Sequence, residues 1–301
     1  MKKEEIRSKI ERLKKEKNAV ILAHNYQIGE VQDIADYIGD SLGLSQKAAQ
    51  VEAEIIVFCG VHFMAETASI LAPEKTILIP DIKAGCPMAD MINASDMRQW
   101  KRNYPGSKAV CYVNTTAEVK AECDICCTSS NAIRVVNSLN SDKILFAPDK
   151  NLAAYVARHT KKKIIPWDGY CYVHRKILAK DIKERKSLYQ KAEIWVHPEC
   201  LPEVIDLADK VLSTGNMVKE ARKTNKKNVI VGTETGIIYR LKKENPTENF
   251  YPARDMAFCF NMKKINLIKV LISLENMTYI VEVPLEISRR ARGAIEKMVE
   301  I

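Results

Sequence analysis

The stretch Asp168-Gly169-Tyr170-Cys171-Tyr172-Val173-His174 lies just past the middle of the 301-residue chain. Its cysteine has two distant counterparts. Cys86 stands in Lys83-Ala84-Gly85-Cys86-Pro87-Met88-Ala89, and Cys259 in Asp255-Met256-Ala257-Phe258-Cys259-Phe260-Asn261. The steps between the three are 85 and 88 residues. Each cysteine follows a strand-like run and falls where a loop is expected. Three loop cysteines at near-equal intervals suggest three similar units, each aiming one thiol at a common centre.

Working outward, three further landmarks recur in the same order. Strands end at Ala23-His24-Asn25-Tyr26, Tyr112-Val113-Asn114-Thr115 and Val196-His197-Pro198-Glu199. His24, Asn114 and His197 align there, with steps of 90 and 83. A hydroxyl-bearing turn follows each strand: Asp40-Ser41-Leu42, Thr128-Ser129-Ser130 and Ser213-Thr214-Gly215. A strand then feeds a helix through Phe58-Cys59-Gly60-Val61, Phe146-Ala147-Pro148-Asp149 and Val231-Gly232-Thr233-Glu234. Self-similarity at a fixed interval is the signature of a repeated structural unit.

Between the landmarks, apolar β-rich runs alternate with helical patterns. The runs cover 19–23, 55–58, 76–79, 109–113, 143–146, 163–165, 193–196 and 228–231. Short continuous apolar runs suit strands buried on both faces, and intervening helices imply parallel sheets. The expected fold class is α/β: three similar three-layer α/β domains with parallel sheets around a pseudo-threefold axis. Their bounds are read as 1–85, 86–171 and 172–262. Residues 263–301, with a final helix over about 285–299, are expected to pack back on the first domain. Ligands of parallel α/β sheets bind beyond the carboxyl ends of the strands. All four landmarks fall at strand ends or helix starts, so three such faces would enclose one site.

Composition narrows the class. An apolar content of 47% suffices for real cores. No run approaches ~18 uncharged apolar residues, so no membrane span is expected. The N-terminus leads into an amphipathic helix with Ile6, Ile10 and Leu13 on one face, unlike a signal peptide. A cytoplasmic location follows, where thiols stay reduced. Nine cysteines in that setting point to metal ligation or catalysis rather than disulfides. The net charge of +9 is dispersed, as in Lys161-Lys162-Lys163 and Lys226-Lys227. No basic stripe is interleaved with aromatics, which argues against nucleic acid. Attraction of a small anionic substrate fits better.

Three cysteines are one short of the usual ligand set of a 4Fe–4S cluster. A cluster so held keeps one iron open as a Lewis acid. A three-cysteine zinc site is the rival, since thiolates suit both metals. Cys123, Cys126 and Cys127 include a C-x-x-C spacing but lack a partner pair or a thioredoxin-like context. With Cys59 and Cys111 they read as packing residues, and Cys200 is left without a role.

His24 and His197 end strands of equivalent units, which favours a shared site. His174 lies close to Cys171, whereas His62 and His159 read as surface or helix residues. Glu199 is the best carboxylate for acid–base work. Tyr26 and Tyr112 can donate protons or orient a carbonyl. Ser41, Ser129, Ser213 and Thr214 read as N-caps and also as hydroxyls for an anion at helix N-termini. Asn114 suits a carboxylate.

These residues closely resemble the quinolinate synthase family, iron–sulfur enzymes of NAD biosynthesis. The resemblance runs nearly the whole chain. It includes Leu22-Ala23-His24-Asn25-Tyr26-Gln27, Gly39-Asp40-Ser41-Leu42, Cys86-Pro87-Met88-Ala89, Tyr112-Val113-Asn114 and Cys127-Thr128-Ser129. It continues through Val196-His197-Pro198-Glu199-Cys200, Ser213-Thr214-Gly215, Gly232-Thr233-Glu234 and Asn261-Met262-Lys263-Lys264.

The resemblance implies condensation of iminoaspartate (iminosuccinate) with dihydroxyacetone phosphate to quinolinate, with loss of phosphate and two waters. It implies one 4Fe–4S cluster held by Cys86, Cys171 and Cys259, whose open iron binds substrate. His24, Ser41, Tyr112, Asn114, Ser129, His174, His197, Glu199, Ser213 and Thr214 would line the substrate pocket. Tyr26 and Glu199, with His24 and His197, would form the catalytic set. A transient contact with the enzyme supplying iminoaspartate is implied; nucleic acid and membrane partners are not. Two departures stand out. The family often has Cys-Pro/His-Val-His where this chain has Cys171-Tyr172-Val173-His174. No C-x-x-C follows Cys259, so no redox switch of that kind is expected. The alternatives are another 4Fe–4S hydro-lyase for a small di-acid, or a non-catalytic metal-binding protein.

Overall fold

The structure, a computed structural model, describes residues 2–301. Its strands are β1 (Ala19–His24), β2 (Tyr37–Gly39), β3 (Ile55–Cys59), β4 (Thr76–Leu78), β5 (Lys108–Tyr112) and β6 (Ile125–Cys127). They continue as β7 (Lys143–Ala147), β8 (Lys163–Pro166), β9 (Glu193–Val196), β10 (Lys210–Val211), β11 (Asn228–Gly232) and β12 (Asn249–Pro252). Among the described residues they form three four-stranded parallel sheets, ordered β2-β1-β3-β4, β6-β5-β7-β8 and β10-β9-β11-β12. One topology recurs three times with helices between the strands, which is the expected three-layer α/β architecture. In each sheet the order reverses between its first and third strands. The crevice beyond that switch point is where such sheets bind ligands.

The sheet register corrects one alignment. Ala23 pairs with Cys59, Cys111 with Ala147, and Val196 with Gly232. The residues next along the first strand of each pair are therefore His24, Tyr112 and His197. Tyr112, not Asn114, stands where the two histidines stand, and the steps become 88 and 85. The aligned residues facing them are Gly60, Pro148 and Thr233.

A repeated aspartate clamp fixes the short second strands, which are too brief to hold register by apolar contacts. Asp36 accepts the Ile21 N–H at 2.7 Å, Asp124 that of Ala109 at 2.8 Å, and Asp209 that of Ile194 at 2.7 Å. Each aspartate returns its own N–H to the carbonyl of the same residue, at 2.9–3.0 Å. The turn leading into β2, β6 or β10 is thus tied to the central strand before the sheet begins.

The core is aliphatic. The helix Lys3–Glu16 buries Ile6, Ile10 and Leu13 and packs on the helix Leu267–Asn276. An isolated helix of that length is marginal in water. Burying three such side chains, at roughly 1.5–3 kcal/mol each, is what keeps it. The helix Leu285–Glu300 buries Ala291, Ala294, Ile295 and Met298. It lies on β6 and the helix Ala117–Lys120 of the second unit, and on the helix His62–Leu71 of the first. Asn131 Nδ2 donates to the Met298 carbonyl at 2.9 Å, so the C-terminal helix bridges two units. No described helix is long and apolar enough to cross a membrane.

Candidate active site

The carboxyl ends of all three sheets open into one cavity. Its lining includes Cys86, Cys171 and Cys259, together with His24, Tyr26, Ser41, Tyr112, Asn114, Ser129, His174, His197, Glu199 and Thr214. Ser213 is not in that lining. It caps the helix Thr214–Ala221 by accepting the Asn216 N–H at 3.3 Å. Ser41, by contrast, is not a cap: Asp40 accepts the Gly43 N–H at 2.9 Å, which leaves Ser41 as the first helical residue. Ser41 and Thr214 therefore reach the cavity beside free helix N–H groups.

Buried carboxylates set the cysteine loops, and sequence reasoning missed them. Asp149 is fully buried. Its Oδ2 accepts the N–H of Cys171 at 3.0 Å, while Oδ1 caps the following helix through the Leu152 N–H at 2.7 Å. Glu234, also fully buried, does the same for the third unit. Its Oε1 accepts the N–H of Cys259 at 2.9 Å, its Oε2 that of Gly236 at 2.7 Å, and Lys263 Nζ balances its charge at 2.8 Å. Asp149 and Glu234 are equivalent in the sheet register; the first unit has Val61 there. The Cys171 loop also lies flush on the second unit, since a Cβ on Gly169 would collide with the Pro148 carbonyl oxygen.

All three cysteines are free thiols. Burial, and beyond it the charges of neighbouring groups, pushes Cys86 up to about 12 and Cys171 well above its ordinary value. The neighbours include Cys259 acting on Cys86 and Cys86 acting on Cys171. The Ala89 N–H closes the Cys86 turn on the Cys86 carbonyl at 2.9 Å, and the Arg175 N–H closes the Cys171 turn on the Cys171 carbonyl at 3.0 Å. Three soft donors, each on the loop that follows the last strand of one sheet, fit an iron–sulfur cluster. Two buried acceptors in the same cavity, Glu199 Oε1 and Asn114 Oδ1, have no protein partner. Such orphans are what a site built for a ligand leaves.

Cys171, His174 and Glu199 also bring donor atoms within 4.8 Å of one another. Both His174 nitrogens already face protein groups, however. Nδ1 lies 2.6 Å from Glu199 Oε2 as a close contact without an aligned hydrogen bond. Nε2 lies 2.8 Å from Thr233 Oγ1, and Thr233 Oγ1 lies 2.6 Å from the Tyr26 hydroxyl. Glu199, His174, Thr233 and Tyr26 thus form a continuous line, buried up to the half-buried Tyr26. Thr233 was not singled out from sequence; its place opposite His197 in the register is the signal that marks it.

Electrostatics assigns states along that line. Burial alone would raise Glu199, but the adjacent His174, then His197, outweigh it and hold the carboxyl below the usual carboxylate range. Burial, then the Glu199 charge, keeps the Tyr26 and Tyr112 phenols well above their ordinary value. Glu199 is therefore ionised and Tyr26 protonated near neutral pH.

His24 and His197 share one geometry. The Tyr26 N–H donates to His24 Nδ1 at 3.2 Å, and the Glu199 N–H donates to His197 Nδ1 at 3.3 Å. Each neutral ring therefore carries its proton on Nε2; in His197 that atom is 3.2 Å from Ser129 Oγ. Burial, with Lys263 acting on His24 and His174 on His197, lowers both to about 3. The unfolded imidazoles take up protons near 6.5, the folded ones only near 3, so acid favours the unfolded chain between those values. Stability from this pair is full above 6.5 and lost as pH falls toward 3. The melting temperature of the metal-free chain should fall across that window, and a His24→Asn/His197→Asn double variant should fall less. Parallel curves for the two proteins would show that the imidazoles are not held neutral.

Comparison with known proteins agrees with this geometry. The family model described as "NadA: Quinolinate synthetase A protein" matches residues 8–300. The chain is 60% identical over 296 residues to a quinolinate synthase of Dehalococcoides mccartyi, covering 98% of each chain. It is 58% identical over 301 residues to that of another strain, covering 100% of both. It is 50% identical over 301 residues to a quinolinate synthase of Methanosarcina barkeri, covering 100% of this chain and 99% of the other.

Proposed function

The chain belongs to the quinolinate synthase family, enzymes of NAD biosynthesis, and from that premise we propose that it condenses iminoaspartate with dihydroxyacetone phosphate to quinolinate, releasing phosphate and two waters. The observation that carries this reading is the meeting of Cys86, Cys171 and Cys259 with two unpartnered buried acceptors in one cavity. The three cysteines would hold a 4Fe–4S cluster. When bound, such a cluster supplies one iron with an open position, a Lewis acid for a substrate oxygen or nitrogen.

The chain's own residues do the rest. Ser41 and Thr214 present hydroxyls and free helix N–H groups to phosphate or carboxylate. His24 and His197, neutral and protonated on Nε2, donate to carboxylate or carbonyl oxygens without adding charge. Glu199 takes a proton from carbon or nitrogen and becomes neutral, and His174, with Nδ1 at 2.6 Å, can share that proton. Tyr26 gives a proton to a departing hydroxyl, and Thr233 links it back to His174, so the line can be reset between dehydrations. Burial of His24, His174, His197, Glu199, Thr214 and Thr233 keeps bulk water from a reaction that must expel it.

Protein purified without air should carry iron and sulfide, absorb as a brown chromophore, and form quinolinate from the two substrates. Cluster-loaded protein that consumes neither substrate would overturn the assignment of substrates. Protein that binds zinc alone, with no iron or sulfide, would favour the non-catalytic reading.

A further inference from the structure

We infer that Tyr172 donates a hydrogen bond to the sulfur of Cys259 and, through it, raises the reduction potential of the cluster and slows its loss to oxygen. The inference rests on the cluster assignment above. Tyr172 directly follows one proposed ligand and touches another: its hydroxyl lies 3.5 Å from Cys259 Sγ. The same oxygen accepts the Phe260 N–H at 3.0 Å. With that lone pair engaged, the phenolic hydrogen is turned toward the sulfur.

Among the described residues, the hydrogen bond that reaches a sulfur of the three is the one from Tyr172 to Cys259. Among the described residues, the donor recorded for the Cys259 sulfur is a side chain. This is also the place where the chain departs from the family pattern, so a bulky residue there has a physical reason. Its ring closes the gap between the Cys171 and Cys259 loops, with Lys176 Nζ 5.6 Å from the ring centroid.

A hydrogen bond to a ligating thiolate withdraws charge from the sulfur. The reduced cluster carries one more electron than the oxidised one and gains more from that withdrawal, so the potential rises. Removing the donor lowers the potential and makes the cluster easier to oxidise.

The test uses anaerobically reconstituted holoenzyme, titrated with a chemical reductant and followed by visible absorption and electron spin resonance. Tyr172→Phe keeps the ring and drops the donor. Its reduced-to-oxidised ratio at a fixed potential should fall on the order of tenfold, which is ~59 mV for one electron, and its chromophore should bleach several-fold faster in air. A fluorinated tyrosine at the same position is a stronger donor and should shift the ratio the other way. If Tyr172→Phe fails to fold or to load, the fluorinated protein decides alone. Potentials unchanged in both, or shifted in the same direction in both, overturn the inference while leaving the cluster intact. Wild-type protein that cannot be loaded with iron and sulfide overturns the cluster reading and this inference with it.

Discussion

Replacing Cys171 with alanine is expected to strip the chain of iron and of activity while leaving it folded. The loop's shape does not depend on the thiol. It depends on the Cys171 N–H held by Asp149 Oδ2, on the Arg175 N–H donated to the Cys171 carbonyl at 3.0 Å, and on Gly169 seated against Pro148. All three contacts are backbone features that alanine keeps. The change in stability of the metal-free chain should stay within about 1 kcal/mol, as for substitutions that open no buried cavity. With two thiols left, the remaining donors cannot retain a cubane that already lacks a fourth protein ligand. The control is Cys59→Ala. Cys59 is fully buried in the middle of the first sheet. Its loss should cost about 1 kcal/mol or more through cavity formation, yet the protein should still take up iron and sulfide. Metal content per chain after anaerobic reconstitution, read beside thermal melts, separates the two effects. A full iron complement in Cys171→Ala would end the proposed ligand set.

The contrast between Cys171 and Cys59 also shows how much of this protein its sequence makes legible. The α/β class followed from apolar runs, because strands buried on both faces leave no choice of residue type. The strands that went unseen were β2, β6, β10 and β12. The first three are two or three residues long and held by the clamps of Asp36, Asp124 and Asp209; β6 is apolar throughout, but a run that short does not stand out in the sequence. The fourth, Asn249–Pro252, is an edge strand with a polar start and a proline end. The cysteine landmarks were readable because loop cysteines repeat at one interval. Asp149 and Glu234 sat inside a quoted landmark and were still passed over. Their role depends on a carboxylate reaching a loop more than twenty residues downstream, which only the closed fold reveals. The mis-set partner of the two histidines has a similar cause: a two-residue shift leaves the strand pattern unchanged, and only pairing register distinguishes Tyr112 from Asn114.

The second large effect is expected along the line from Glu199 to Tyr26. Glu199→Gln keeps the shape of the side chain but removes the charge that faces His174 at 2.6 Å. An amide cannot take a proton, and it deprives the buried His174 Nδ1 of the carboxylate it faces. Tyr26→Phe removes the proton donor at the other end and leaves Thr233 Oγ1 with one partner fewer. Each substitution should lower kcat by about 10²–10⁴, the usual worth of positioned acid–base groups. The KM for either substrate should change much less, because Ser41, Thr214 and the two neutral histidines remain to bind the anions. Thr233→Val tests the link itself, since it breaks the line at 2.8 Å from His174 and 2.6 Å from Tyr26 without touching either end group. If the four residues act as one unit, the Glu199→Gln/Tyr26→Phe double variant should be no slower than the worse single variant by more than a few-fold, because groups acting together are strongly non-additive. Multiplied losses in the double variant would show that Glu199 and Tyr26 serve separate steps. An intact iron content in every variant is the condition that ties the result to proton transfer rather than to loss of the cluster.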